Sequence, residues 1–461
     1  MQKRQADVVV IGAGSAGMTA YRSAVRAGKE VVLIEGGEFG TTCARVGCMP
    51  SKLLIAAAEA AHTAQNTAPF GVHIDGSVRI DGKEVMQRVK SERDRFVGFV
   101  LDDIASIPAQ NKVLGYAKFI DNNTVQVDDH TQISATSFVI ATGSTPFSPK
   151  PLLAAADRLV INDDVFDWDD LPQSVVVVGA GVIGLELGQA LHRLGVKTTL
   201  LNRSDKVGGI TDPVVREAAR DAFCCQFDML ANADVIRTEL VENGGQVAVY
   251  YQHEGQEHCI KADFVLSAAG RTPNVGALGL ENTSAVLNDK GMPAFDPHTL
   301  LITNTSIFFA GDVNNMHPIL HEAADDGFQS GANAAQWPAA PTPVSRRAAM
   351  GVVFTDPQIM KVGQSFDQLD LETTVIGEVN FKNQGRARVM LKNCGRLRVY
   401  ADKKTAKFLG AEMLGPAAEH MAHLLAWCLQ MELTIDQMLA MPFYHPVLEE
   451  GLRTALRGAR S

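Results

Sequence analysis

The chain has 461 residues, 46% of them hydrophobic and only 6% aromatic, with a formal net charge of −10. That length predicts two to four domains with substantial cores, and the acidic balance sets nucleic acid and anionic membrane surfaces aside as partners. Seven cysteines argue against a secreted disulfide framework, and no run approaches the roughly 18 uncharged apolar residues of a membrane span, so a soluble cytoplasmic protein is expected.

The start MQKRQADVVVIGAG places basic residues before an apolar run, but Asp7 interrupts it and VVVIG is too short for a signal-peptide core. It reads as a first β-strand. The longer segment ADVVVIGAGSAGMTAYRSAVRAGKEVVLIE is strand, glycine loop, helix, strand and acid. Gly12, Gly14 and Gly17 match GxGxxG in that setting, serving a tight turn, close approach to a pyrophosphate and helix–strand packing. The phosphate is expected on the helix N-terminus, with Glu35 at the tip of the second strand accepting hydrogen bonds from an adenosine ribose.

TTCARVGCMPSK, residues 41–52, sets Cys43 and Cys48 five positions apart, followed by the apolar run LLIAAAEAAHTA, which reads as a helix. Positions i and i+5 of an ideal helix lie roughly 8–9 Å apart, whereas a disulfide wants α-carbons about 4.4–6.8 Å apart. Bridging the pair therefore requires a distorted first turn, which Gly47 permits. A bridge under such strain is easily reduced, and a helix N-terminus favours a thiolate. Taken alone, the spacing also suits buried unpaired cysteines.

The nucleotide pattern recurs in SVVVVGAGVIGLELGQALHRLGVKTTLLNR, with Gly179, Gly181 and Gly184. Two such units imply two dinucleotides, most economically a flavin and a nicotinamide. Glu35 is 23 residues after Gly12; the same offset from Gly179 lands on Asn202, followed by Arg203. An acid there favours the 2′-hydroxyl of NAD, an arginine the 2′-phosphate of NADP. The alternative reading of Arg203 is a solvated surface charge. Cys224 and Cys225 fall inside this unit and are read as structural.

Farther on, WPAAPTPVSRR, 337–347, is a Pro/Ala linker suited to a domain boundary. GRLRVYADKKTAKFLGAEMLG reads as two strands around a polar turn, and AAEHMAHLLAWCLQMEL as a helix whose Met, Trp and Cys stripe belongs to a core. Thiol exchange needs a base, because the thiolate attacks. In YHPVLEE, His445 has a pKa range suited to shuttling protons, and Glu450 can orient it.

Eight segments in order, GAGSAG, CARVGCMPSK, IATGS, GAGVIGLE, AAGRTPN, FAGDVNN, VVFTDP and HPVLEE, resemble the pyridine nucleotide–disulfide oxidoreductase family, over nearly the whole chain. The resemblance implies an α/β fold with two Rossmann-like dinucleotide-binding domains and a C-terminal α+β dimerisation domain. Residues 1–145 and 275–340 would bind FAD, 146–274 NAD or NADP, and 345–461 would form the interface. It implies a homodimer whose active site is shared across subunits. Cys43 would exchange with substrate, Cys48 would lie against the flavin, and His445 and Glu450 would come from the partner. Lys52 and Glu186 would pair beside the flavin N5. Asp312 would bond the ribityl chain, Thr42, Thr142 and Gly143 would line the FAD site, and Arg271 would contact the nicotinamide. No metal is expected.

Ser51-Lys52 and Gly184 look most like the dihydrolipoamide dehydrogenase branch: dithiol to Cys43–Cys48, then FAD, then NAD(P), with a 2-oxo acid dehydrogenase complex as a possible assembly. The pattern departs at Thr42, where glycine is usual, at Ala44-Arg45, at Phe443-Tyr444 before His445, and at Asn202-Arg203. Those departures bear on substrate and nicotinamide identity, not on the reaction type. One alternative is an NADPH-dependent reductase of a low-molecular-weight disulfide, favoured by Arg203; a second, from a different class, is a non-catalytic flavin-binding scaffold. Retention of both cysteines, His445 and Glu450 speaks against the scaffold.

Overall fold

Val8, Val9, Val10 and Ile11 form a run without polar alternation, and all four are buried, as suits a strand covered on both faces. In the computed structural model, which describes residues 1–460, they end the strand Gln2–Ile11 near the middle of a seven-stranded sheet. Contacts divide the chain into two compact units: Met1–Pro50, Val89–Pro146 and Arg271–Arg346 in one, and Ser51–Arg88, Phe147–Gly270 and Arg347–Ser461 in the other.

In the first unit the sheet order is Lys112–Leu114, Val31–Glu35, Gln2–Ile11, Thr131–Ile140, Thr124–Val127, Ala117–Asp121. The first four strands are parallel and the last two add antiparallel. Ile307–Phe309 also pairs parallel with the end of Thr131–Ile140. Side chains alternate across the sheet: Val9 and Ile11 join a core with Phe119, Phe138 and Phe309, while Val8 and Val10 join one with Ala16, Ala20 and Ala323. Those alanines belong to the helices Ser15–Arg26 and Leu320–Gln336. The helices meet backbone to backbone, since a Cβ at Gly327 or Gly331 would fall 2.1 Å from Ala16 O or 2.3 Å from Ala20 O.

The second unit holds a five-stranded parallel sheet, ordered Asp228–Ala231, Lys197–Asn202, Ser174–Val178, Phe264–Ser267, Leu159–Val160. Asp234–Val241, Gln246–His253 and Gln256–Ala262 make an antiparallel sheet beside it. After the linker comes a five-stranded antiparallel sheet, including Arg396–Asp402 paired with Phe408–Gly415. This sheet is tied to the loop before the helix Pro213–Cys224 by charge. Asp212 is fully buried, accepts from Arg398 at 2.9 and 3.0 Å and from Tyr400 at 2.9 Å, and caps that helix through Val214 N.

One expectation is corrected. The stripe on the helix Ala418–Gln430 is not all core: Met421 is buried, but Leu424, Trp427 and, just beyond the helix, Met431 are exposed. Their spacing of three and four residues puts them on one face, an apolar face that the described residues leave uncovered. Cys224 and Cys225 are exposed at the C-terminal end of the helix Pro213–Cys224, where Cys224 Sγ donates to Met229 O at 3.4 Å. No helix among the described residues is long and apolar enough to cross a membrane, and they contain no cluster of three or more metal-ligating side chains.

Candidate active site

The two glycine turns share one geometry. Gly12 and Gly179 have φ of +104° and +112°, a region open to glycine and closed to most side chains. Gly14 and Gly181 cap the helices Ser15–Arg26 and Val182–Arg193 with φ, ψ of −75°, −172° and −77°, −172°. A Cβ at Gly17 or Gly184 would fall 1.8 or 1.9 Å from the carbonyl oxygen of Gly12 or Gly179, whereas a Cβ at Gly14 or Gly181 would meet nothing within 4 Å. Each turn is thus closed on its protein side and open at a helix N-terminus, where unpaired N–H groups favour a phosphate.

The strand ends differ. Glu35 accepts the Ala13 N–H at 2.7 Å and the Gly37 N–H at 2.8 Å. Asn202 accepts the corresponding Ala180 N–H at 3.3 Å and donates to Ser204 O and Lys206 O at 2.7 Å each. Arg203 is exposed, and no ion pair engages it among the described residues.

In the redox segment the chain makes a short helix, Thr42–Val46, and restarts as Cys48–Gln65. Gly47, at φ −131°, ψ −114°, separates them. A Cβ there would lie 2.9 Å from Thr42 O and 3.3 Å from Cys43 Cα, so only a glycine lets the chain fold back this closely on Cys43. Cys43 is half-buried, while Cys48 and Thr42 are exposed. Thr41 caps the short helix by accepting the Ala44 N–H at 3.3 Å.

The first unit also assembles a relay. Arg271 donates to Ser144 Oγ at 2.8 Å and to Ser144 O at 2.6 Å, and Ser144 Oγ donates to Asp312 Oδ2 at 3.3 Å. Burial pushes the Asp312 carboxyl above its ordinary pKa, against the pull of Ser144 and Arg271. Thr142 and Gly143 are latched to Asn274, through Thr142 Oγ1 to Asn274 O at 2.7 Å and Asn274 N to Gly143 O at 3.0 Å.

In the second unit Lys52 Nζ lies 2.8 Å from Glu186 Oε2, and Glu186 is only 4% exposed. Glu186 Oε1 accepts the Phe354 N–H at 2.9 Å, and the Phe354 ring lies 4.6 Å below the Lys52 ammonium. Sequence reasoning missed Phe354, Ser144 and Asn274; all three lie in or beside the quoted segments, but nothing in their spacing marks them as partners. Farther along, His445 Nδ1 is 3.1 Å from both Glu450 oxygens. Glu450 is also met by Arg453 at 3.4 Å, and its carboxyl is held below the usual range, chiefly by the His445 hydrogen bond. The imidazole is 81% exposed, leaving its other nitrogen to the outside.

The family model for pyridine nucleotide-disulphide oxidoreductases matches residues 6–336, and that family's dimerisation domain matches 349–456. The chain belongs to this family. Family members are FAD-dependent enzymes that use NAD(P)H, and this chain is an FAD-dependent oxidoreductase whose dimerisation domain supports a homodimer. The first glycine cradle, open at Gly14, and the acid Asp312 fit such a cofactor. The chain is 30% identical to a dihydrolipoyl dehydrogenase of Haloferax volcanii, over 98% of this chain and 96% of that one. It is also 30% identical to a mercuric reductase of Staphylococcus aureus, over 97% and 81%. In fold it matches the copper(II) complex of the HOCl-induced flavoprotein disulfide reductase RclA from Escherichia coli, with TM-score 0.84 at 24% identity over 99% and 100% of the chains.

Proposed function

We propose that the protein oxidises dihydrolipoamide to its cyclic disulfide and delivers the two electrons to NAD+. FAD, when bound, supplies the two-electron link between a dithiol pair and a nicotinamide. Cys43 exchanges with the substrate thiols, and Cys48 is the partner sulfur on the cofactor side. His445 takes the proton that leaves the attacking substrate thiol, and Glu450 fixes the ring so that Nε2 faces outward. The paired and exposed His445 is the observation that carries this reading, because dithiol exchange needs a base and little else from the protein. A histidine this open, on the segment that matches the dimerisation domain, suits donation to the Cys43–Cys48 pair of the other protomer. Residues 1–145 and 275–340 hold FAD and 146–274 the nicotinamide. Lys52 and Glu186 would pair beside the flavin, whose chemistry there is hydride transfer with the nicotinamide. Thr42, Thr142, Gly143 and Asp312 line the FAD, and Arg271 acts from behind Ser144 toward the nicotinamide.

The lipoamide substrate is supported by likeness to two dihydrolipoyl dehydrogenases, 30% and 29% identical over 98% and 97% of this chain. A cytoplasmic location and assembly with a 2-oxo acid dehydrogenase go with this reading. A second reading, an NADPH-dependent reductase of a small disulfide, is favoured by Asn202 in place of an acid with an exposed Arg203 beside it. The deciding experiment is steady-state oxidation of free dihydrolipoamide by the FAD-loaded protein, with NAD+ and NADP+ in parallel. Fast turnover with NAD+ is expected; activity only with NADP+, or none with this dithiol, would replace the first reading by the second.

A further inference from the structure

The helix Val182–Arg193 buries three polar side chains on one face: Glu186, Gln189 and Arg193, at 4%, 4% and 6% exposure. Buried polar groups at such spacing need partners, and all three find them on one short segment after the linker. Glu186 Oε1 accepts the Phe354 N–H at 2.9 Å. Gln189 accepts the Asp356 N–H and donates to Asp356 O, both at 2.8 Å. Arg193 donates to Asp356 O at 3.1 Å and to its carboxylate at 3.3 Å. The ladder clamps the backbone on both sides of Thr355 and leaves Phe354 little freedom. Its half-buried ring then meets the Lys52 ammonium, 4.6 Å from the centroid, within cation–π range.

We infer that Phe354 is a positioning residue for Lys52, its ring holding the ammonium while its own N–H holds the Glu186 carboxylate that pairs with it. The two ends of the ion pair are thereby fixed by one residue of the segment that matches the dimerisation domain. A lysine pinned between a carboxylate and a ring face keeps its charge at one point instead of sweeping the solvent, as Lys52, at 33% side-chain exposure, otherwise could. This rests on the proposed placement of the Lys52–Glu186 pair beside the flavin. A fixed cation there favours the electron-richer, reduced form of the cofactor.

The test is a double-variant cycle on the FAD-loaded dimer, reading the flavin midpoint potential and the stopped-flow rate of flavin reduction by nicotinamide. Phe354→Leu keeps the backbone N–H and removes the ring. It is expected to lower the potential and slow reduction about three- to fivefold, with the nicotinamide KM unchanged, while Phe354→Tyr keeps wild-type values. In a Lys52→Met background, Phe354→Leu is expected to add nothing. Wild-type potential and rate in Phe354→Leu, or an equal further loss in Lys52→Met, would overturn the positioning role. A Lys52→Met variant with unchanged potential would instead show that the pair does not face the flavin, and the inference would fall with that placement.

Discussion

Glu35 and Asn202 hold the same place in two copies of one turn: each ends its strand and accepts the N–H of the residue after the first glycine, at 2.7 and 3.3 Å. The backbone role is kept while the charge is lost. A carboxylate at this place accepts ribose hydroxyls and repels a 2′-phosphate, whereas a neutral amide beside an open arginine tolerates the phosphate. Asn202→Glu should fit without rebuilding the turn, as Glu35 shows in the first copy. We expect it to raise the ratio of kcat/KM for NAD over NADP by about tenfold or more, the scale of one charge contact with a phosphate. Arg203→Ala should move the ratio in the same direction by weakening NADP alone. An unchanged ratio in both variants would make Arg203 a surface charge.

The His445–Glu450 pair makes a separable prediction. Removing the base by His445→Gln should slow dihydrolipoamide oxidation by about 10²–10⁴-fold, yet leave flavin reduction by the nicotinamide close to wild type, because that half of the reaction needs no thiol exchange. Glu450→Gln keeps the size and loses the charge. The His445 hydrogen bond keeps the Glu450 carboxyl ionised well below neutral pH, so this variant should act across the whole working range, with a smaller fall. Equal losses in both half-reactions would mean that the pair supports structure and not exchange.

The glycines of the first turn should fail for different reasons. At Gly17 a methyl group would run into Gly12 O at 1.8 Å, so Gly17→Ala should destabilise the apoprotein by about 3 kcal/mol, the upper end of the usual cost of overpacking. At Gly14 the added methyl meets no protein atom. Gly14→Ala should therefore melt near the wild-type temperature as apoprotein and show its defect only in FAD affinity, by standing where the pyrophosphate must approach. Thermal melts of both apoproteins, followed by FAD titration, separate the two effects.

What could be read from sequence was local. Gly12, Gly14 and Gly17 carry their geometry in their own spacing, since turn, cap and close packing all fall within six residues. Gly47 could be picked out because a five-residue cysteine spacing does not fit an undistorted helix. Partners distant in the chain were beyond such reasoning: Lys52 and Glu186 are 134 residues apart, and only resemblance joined them. Phe354 and Ser144 act through contacts that no periodicity signals. Trp427 and Met431 show a different limit. Apolar spacing marks a face that leaves water, but it does not distinguish burial in the chain's own core from burial against another chain.

Asp312 places binding and stability in opposition. Its carboxyl is pushed up by burial, more than Ser144 and Arg271 pull it down. The folded apoprotein therefore holds this proton more tightly than the unfolded chain. The penalty of ionising a buried acid is fully present above the folded pKa, shrinks as pH falls through it, and is gone below the unfolded value of about 3.9. Asp312→Asn removes the charge and keeps the acceptor for Ser144 Oγ. The variant apoprotein should therefore melt higher than wild type at pH 7, and the gap should close on acidification toward pH 4. FAD affinity should move the other way, because a carboxylate accepts ribityl hydroxyls more strongly than an amide. Melting temperatures of both apoproteins from pH 4 to 8, with FAD titrations at pH 7, check both signs at once. A variant less stable at neutral pH would mean that the Ser144 and Arg271 contacts outweigh burial in the folded protein.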